Sequence, residues 1–134
     1  MDSETRLKID TLINSHPVMV FMKGTKLMPQ CGFSNNVVQI LNSLGMSFDT
    51  FDVLSDMEIR EGIKEFSNWP TIPQVYVKGE FIGGSDILIS MYNSGELKEK
   101  LEIALASYLV TFDSYLGFFL KKEVINITIG TNKA

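Results

Sequence analysis

The one cysteine of this sequence, Cys31, carries its clearest chemical signal. It lies between an apolar run at Val18 to Met22, typical of a buried strand, and an amphipathic segment that is expected to be helical. The unpaired N–H groups and the positive dipole at a helix start favour a thiolate and lower the pKa of the sulfur. Cys31 is therefore a candidate nucleophile and metal ligand. The alternative is a small buried hydrophobe, the common role of a lone cysteine.

The residue three positions after Cys31 decides which redox chemistry is open to the chain. A second cysteine there would form a dithiol couple, but the position holds Ser34. Cys31 must therefore act with a thiol or a metal from outside the chain. The helix-start position and the flanking Gly32 and Ser34 favour a reactive site over a packed core position.

The composition argues against several classes of function. The 134 residues have a net charge of -4 and no lysine or arginine cluster, which argues against nucleic acid or an anionic membrane as the main partner. One cysteine fits a reducing compartment, and the single histidine, His16, leaves too few ligands for a zinc site within the chain. The N-terminus has no secretory or transit signature. We expect a cytoplasmic protein, or a plastid stromal one if the chain is a trimmed form.

Helices and short strands alternate along the chain. Helices are predicted at 3–15, from Cys31 to Gly45, at 56–67, from 84 to 95 and from 97 onward, and strands at 18–22, 48–53, 75–77 and 81–82. The order α, β, α, β, α, β, β, α, α predicts an α/β fold with a compact mixed sheet and helices on both faces. Its first strands are expected to be parallel and its last two antiparallel.

Four motifs follow one another along this pattern: Met22 to Thr25, Pro29 to Ser34, Trp69 to Gln74 and Gly83 to Asp86. In this order and spacing they resemble the monothiol glutaredoxins with a Cys-Gly-Phe-Ser site. The resemblance covers about residues 5 to 107, so we interpret 1–107 as a glutaredoxin domain and 108–134 as a C-terminal extension. Residues 26–30 and 34–38 are most similar to the cyanobacterial and plastid branch of that family.

The resemblance implies a thioredoxin-like fold with a four-stranded mixed sheet, glutathione as the external thiol, and a 2Fe-2S cluster shared by a homodimer. Each subunit would give the cluster the sulfur of Cys31, and each bound glutathione would give another. The implied function is iron-sulfur cluster storage or transfer in redox or iron homeostasis, with a BolA-like protein and apo iron-sulfur acceptors as partners. The alternative is a glutathione-dependent oxidoreductase that removes glutathione from mixed disulfides through Cys31, with at most weak activity.

The charges of glutathione, two carboxylates and one amine, can be matched to residues of these motifs. Lys23 and Arg60 are candidates for its glycine carboxylate, although either can be a solvated surface charge. The N–H groups of Gly84 and Ser85, with the carboxylate of Asp86, are candidates for the other end. Ser85 or Asp86 can also simply cap the helix.

The remaining candidates belong to the proline-rich motif. Thr71, Ile72 and Pro73 are interpreted as the family's loop with a cis proline, in which the backbone of Ile72 would pair with the cysteinyl part of glutathione. An ordinary trans turn is the alternative. Phe33 is expected to cover the site or the subunit contact, and Trp69 is expected to be a packing residue.

Two departures from the family pattern bear on mechanism. Many relatives have a second cysteine directly before the aspartate of the fourth motif, where this chain has Ser85, so an internal disulfide with Cys31 is closed to it. The extension at 108–134 is too short and interrupted to span a membrane, and the sequence gives no reason to choose a role for it.

Overall fold

The structure is a computed structural model in which residues 1–107 are described. Met1–Ala104 form one compact unit. The predicted extension at 108–134, and the end of the last predicted helix at Tyr108, lie outside the described residues. The elements are α1 (Ser3–Ile13), β1 (Val18–Met22), α2 (Gly32–Ser43), β2 (Asp49–Asp52), α3 (Met57–Ser67), β3 (Gln74–Val77), β4 (Glu80–Gly83), α4 (Ser85–Ser94) and, within the described part, α5 at 96–107.

The four strands form one mixed sheet in the order β2-β1-β3-β4. β1 is parallel to β2 and antiparallel to β3, and β3 is antiparallel to β4. All five residues of β1 are buried, as its uninterrupted apolar run predicts. The α/β fold, the parallel first pair and the terminal antiparallel hairpin are therefore confirmed.

The helices cover both faces of this sheet because successive side chains of β1 point in opposite directions. On one face, Met19 and Phe21 pack in a core cluster with apolar residues of α1 and α3, among them Ile9 and Ile63. On the other face, α2 and α4 pack against each other. The central strand is thus shielded on both sides, and its carboxyl end leads directly to the cysteine loop.

Some boundaries differ from the predicted ones for local reasons. β2 ends at Asp52 rather than at 53, because the Asp52 carboxylate accepts the Leu54 N–H at 2.9 Å and turns the chain into a short 3-10 helix, Val53–Ser55. α1 ends at Ile13 rather than at 15, where the Ser15 hydroxyl donates to the Leu12 carbonyl at 2.6 Å. Neither change moves a predicted site residue to another element.

Within 1–107, none of the helices combines the length and the apolar composition needed to cross a bilayer.

Candidate functional site

Cys31 is the N-cap residue of α2, with an extended backbone and a partly exposed side chain. Partial burial opposes ionisation, but the N–H and hydroxyl of Ser34, the N–H of Phe33 and the ammonium of Lys23 favour the thiolate. Together they hold the pKa of Cys31 below the ordinary thiol value. The predicted helix-start thiolate is therefore supported by the groups around the sulfur.

Ser34 connects this thiol to the end of β1. Its side chain is fully buried, and its hydroxyl accepts the backbone N–H of Lys23 at 3.1 Å. The Lys23 carbonyl in turn accepts the N–H of Gln30 at 2.9 Å. Ser34, at the position where a dithiol couple would have its second cysteine, thus fixes the backbone of Lys23, a residue predicted to bind glutathione.

The loop between β1 and Cys31 is folded tightly by backbone contacts. Gly24 has a φ of 91°, and a Cβ there would lie 2.5 Å from the carbonyl oxygen of Met28, so the position requires glycine. The Gly24 N–H donates to the carboxylate of Asp52 at 2.9 Å. Asp52 is a positioning residue that sequence reasoning missed, because the contact joins residues 28 positions apart.

A pocket of about 400 Å³ lies next to the cysteine loop. All eight residues predicted to bind glutathione line it, whereas Cys31 is not among the lining residues and lies two positions before one of them. Phe33, Lys64, Trp69, Pro70 and Ile87 complete the lining. The structure thus brings all eight predicted residues to one pocket: Lys23, Arg60, Thr71, Ile72, Pro73, Gly84, Ser85 and Asp86.

Three cationic side chains line the pocket: Lys23, Arg60 and Lys64. Within residues 1–107, neither Lys23 nor Arg60 is ion-paired with a carboxylate, and the Nε of Arg60 is buried without a hydrogen-bond partner. Lys64 forms an ion pair with Glu61 at 3.2 Å. Lys64 lies one helical turn after Arg60, a spacing that places both side chains on one face of α3 and would have revealed this third cation. Lys23 and Arg60 can therefore bind a carboxylate of a ligand.

The first turn of α4 lies elsewhere in the pocket lining. Gly84 is the N-cap, and no side chain of the described residues caps this helix. Ser85 is buried and accepts the Asn36 amide at 3.4 Å, while Asp86 is exposed. The alternative that Ser85 or Asp86 caps α4 is therefore wrong, and the first-turn N–H groups remain to bind an anion.

The loop from Trp69 to Pro73 supplies the largest part of the lining. The Ile72-Pro73 peptide bond is cis, as predicted, so the alternative of a trans turn is wrong. Among the described residues, nothing hydrogen-bonds the N–H or the carbonyl of Ile72, which leaves its backbone available to an extended ligand. Trp69 packs on Phe81, with 5.6 Å between ring centroids, in agreement with its predicted packing role.

A mixed sheet of this topology, with a thiol at a helix start and a cis-proline loop, is typical of the thioredoxin-like proteins. A family model described as Glutaredoxin matches residues 18–82. An uncharacterized monothiol glutaredoxin ycf64-like protein of Synechocystis is 72% identical over 107 residues, which are 80% of this chain and 100% of that protein. The chain belongs to the monothiol glutaredoxin family.

Other relatives and solved structures agree with this assignment. The rice monothiol glutaredoxin-S7, chloroplastic, is 56% identical over 78% of this chain and 62% of its own length. The solution structure of reduced poplar apo GrxS14 has a TM-score of 0.68 at 50% identity, covering 75% of this chain and 93% of that one. The crystal structure of a buckwheat glutaredoxin-glutathione complex has a TM-score of 0.68 at 25% identity, covering 75% and 90% of the two chains. These likenesses confirm the thioredoxin-like fold.

Proposed function

We propose that this monothiol glutaredoxin binds glutathione in the pocket beside Cys31 and, as a homodimer, carries a 2Fe-2S cluster for storage or transfer to other proteins. One observation carries the proposal: all eight residues expected to bind glutathione line a single pocket. A pocket of about 400 Å³ lies within the usual size range of small-molecule sites.

The charges of the pocket are arranged for the two ends of glutathione. Its glycine carboxylate would bind to Lys23 and Arg60, whose cations have no carboxylate partner within 1–107. Its other carboxylate would accept N–H groups at the uncapped start of α4, and its amine would pair with Asp86. The structure of a buckwheat relative in complex with glutathione supports the same ligand for this chain.

Cys31 is partly exposed and its pKa is lowered, and both properties suit a thiolate ligand of a cluster carried as cargo. A 2Fe-2S cluster needs four sulfur ligands, and it transfers when those ligands exchange. Within residues 1–107, no group of three or more His, Cys, Asp and Glu side chains could hold a metal, and the chain has one cysteine. Two copies of Cys31 and two glutathione thiolates would therefore complete the set.

Partners of a bound cluster would meet an apolar surface beside Cys31. The side chains of Leu27, Met28 and Phe33 are 91%, 68% and 61% exposed. In water such a surface favours contact with another protein. We assign this surface to a second copy, to a BolA-like protein and to apo iron-sulfur acceptors. The rice relative is named as chloroplastic, which supports the plastid stroma beside the cytoplasm as a proposed location.

The second candidate function, removal of glutathione from mixed disulfides, is favoured by the lowered pKa of Cys31. The Cys31 thiolate attacks the glutathione sulfur of the mixed disulfide, forms a Cys31-glutathione disulfide and releases the substrate thiolate. A second glutathione thiolate attacks the glutathione sulfur of that disulfide. The products are glutathione disulfide and the free Cys31 thiolate. Each exchange breaks one S–S bond and forms another, so no further oxidant or reductant is needed.

Calorimetric titration with glutathione tests the shared part of both functions. Wild-type protein is expected to bind, while Lys23→Ala and Asp86→Ala each weaken the affinity about fivefold to tenfold through loss of one charged contact. Both variants should keep their Tm. Lys8→Ala, which removes an exposed lysine on α1, is the matched control. If either site variant bound glutathione as tightly as wild type, that residue would have no role in the site.

Anaerobic reconstitution with iron, sulfide and glutathione then separates the two functions. The carrier function predicts cluster absorption bands on a dimer that reverts to a colourless monomer when glutathione is removed. A colourless monomer that binds glutathione and turns over a small mixed disulfide would contradict the carrier function and favour thiol transfer.

A further inference from the structure

We infer that Gln74 is a positioning residue, whose buried amide fixes the Trp69–Pro73 loop in the shape that binds the ligand. The inference rests on the proposed glutathione site and adds a buried network that supports it. Gln74 is the first residue of β3, and its side chain is fully buried. It does not line the pocket, so any effect on binding must act through the loop.

The amide of Gln74 joins two carbonyls of the loop. Its Nε2 donates to the carbonyl oxygen of Trp69 at 3.1 Å and to that of Thr71 at 3.2 Å. Its Oε1 accepts the hydroxyl of Tyr76 at 3.0 Å. The two loop carbonyls are two residues apart, so one rigid amide sets the distance between them.

The orientation of this amide follows from its partners. A carbonyl oxygen only accepts hydrogen bonds, so the NH₂ group of Gln74 must face the two loop carbonyls. Its oxygen then faces Tyr76, which must donate. Burial, opposed by a hydrogen bond with Ser67, raises the pKa of Tyr76 to about 12, so its hydroxyl proton is retained at neutral pH. The network therefore has one arrangement.

The start of the loop is anchored as well. The N–H of Trp69 donates to the Ser67 hydroxyl at 3.1 Å and to the Lys64 carbonyl at 3.1 Å, at the end of α3. Trp69 is thus held at its N–H by α3 and at its carbonyl by Gln74. Between this residue and Gln74 the chain has two prolines and the Ile72 backbone, which has no partner of its own within 1–107. The side chains of Trp69 and Ile72 pack on the sheet, and the Gln74 amide adds the hydrogen bonds that fix the carbonyls of this stretch.

Gln74→Met is the variant that removes the network with little change in volume. We expect glutathione to bind about tenfold more weakly, because two hydrogen bonds that pre-form the site are lost. The only tryptophan of the sequence, Trp69, reports directly on the loop, and its emission should shift to longer wavelength as the indole becomes more exposed. Tyr76→Phe, which removes one hydroxyl, should weaken binding about twofold to threefold.

Thr5→Val is the control, since it removes a buried hydroxyl at the α1–α3 contact without touching the loop. Its glutathione affinity and Trp69 emission should equal those of wild type. Binding by Gln74→Met that is as tight as that of Thr5→Val would overturn the inference. If Gln74→Met does not fold, wild-type affinity and emission in Tyr76→Phe would overturn it.

The same experiment separates this inference from the proposed function. Wild-type protein that fails to bind glutathione would overturn the proposed function. The emission of Trp69 in Gln74→Met would still decide whether the amide orders the loop, and unchanged emission would reject that role.

Discussion

The helices α1 to α4 begin in two different ways. α1 and α3, on one face of the sheet, each begin at an aspartate, Asp2 or Asp56, whose carboxylate accepts an N–H of the first turn at 2.8 or 3.1 Å. α2 and α4, on the other face, begin at Cys31 and Gly84, and neither has a side-chain cap. The first turns of α1 and α3 thus bind a permanent carboxylate, whereas the N–H groups at the start of α2 face the Cys31 sulfur and those at the start of α4 remain for a ligand.

The electrostatics of Asp2 and Cys31 show how close the two arrangements are. The N–H and hydroxyl of Thr5 hold the pKa of Asp2 below its ordinary value. At Cys31 partial burial opposes the charge, yet the N–H groups of Ser34 and Phe33 still lower the pKa of the thiol. A thiolate at the N-cap of α2 thus takes the place that a carboxylate has in α1. The N-cap group of α2 is therefore a reactive thiolate instead of a permanently charged carboxylate.

Cys31→Ser is the strongest way to test this comparison. Thiol transfer and cluster binding should both disappear, because a serine hydroxyl stays protonated and is a poor ligand for iron. Serine is a favoured N-cap residue, so the Tm should be equal to or higher than that of wild type. Turnover of a glutathione mixed disulfide, absorption after anaerobic reconstitution and thermal unfolding measure the three effects.

A fall of several degrees in the Tm of Cys31→Ser would contradict the comparison. It would mean that Cys31 contributes mainly by packing, as a small hydrophobe, and that the start of α2 does not need a cap.

Asp56→Ala tests the other member of the comparison. Removing the cap of α3 should cost about 1 kcal/mol, and this lowers the Tm by about 4–8 °C in a domain of this size. Glutathione affinity should change by less than about twofold, since neither Asp56 nor Ile59, whose N–H it accepts, lines the pocket. Thermal unfolding and calorimetric titration measure the two effects.

Asp10→Ala, an exposed aspartate within α1, is the matched control and should leave the Tm unchanged. If Asp56→Ala lost glutathione affinity as strongly as Lys23→Ala, the cap would belong to the site and the division between the two kinds of helix would fail.

The sequence predicted this site well where a residue's type limits its possible positions. Cys31 at a helix start followed from the strand and helix patterns on either side of it, whereas the cis proline after Ile72 followed from the resemblance to the monothiol glutaredoxins. The strand directions, a parallel first pair and an antiparallel last pair, followed from the alternation of helices and strands, but the strand order was not predicted. Local patterns and the family resemblance together were sufficient for the site's outline.

The parts that sequence reasoning missed are contacts made by side chains distant from the residues they position. Asp52 holds Gly24 from a neighbouring strand, and Gln74 holds the carbonyls of Trp69 and Thr71 from within the sheet. A single aspartate or glutamine belongs to no sequence pattern that would identify such a distant partner. These contacts depend on which strands lie side by side, and only the three-dimensional structure supplies that information.

Ser34→Ala tests the finest part of the comparison, the support that one hydroxyl gives the reactive cap. Because the hydroxyl favours the thiolate, its removal should raise the pKa of Cys31 and slow alkylation by iodoacetamide at neutral pH. Wild-type Cys31 has a lowered pKa, so its ionisation stabilises the fold at pH values above the unfolded-state pKa. That stability is lost as the pH falls through the folded-state pKa. In Ser34→Ala the folded-state pKa of Cys31 moves toward the unfolded-state value. The pH range over which ionisation of Cys31 changes the stability of the fold therefore becomes narrower.

The variant also leaves the Lys23 N–H without its acceptor, at a cost of about 1–3 kcal/mol. Ser43→Ala, an exposed serine at the other end of α2, is the control and should change neither the alkylation profile nor the stability. Alkylation of Ser34→Ala with the wild-type pH profile would show that the backbone N–H groups and Lys23 support the thiolate without the hydroxyl. The start of α2 would then differ from that of α1 only in the atom that accepts the hydrogen bond.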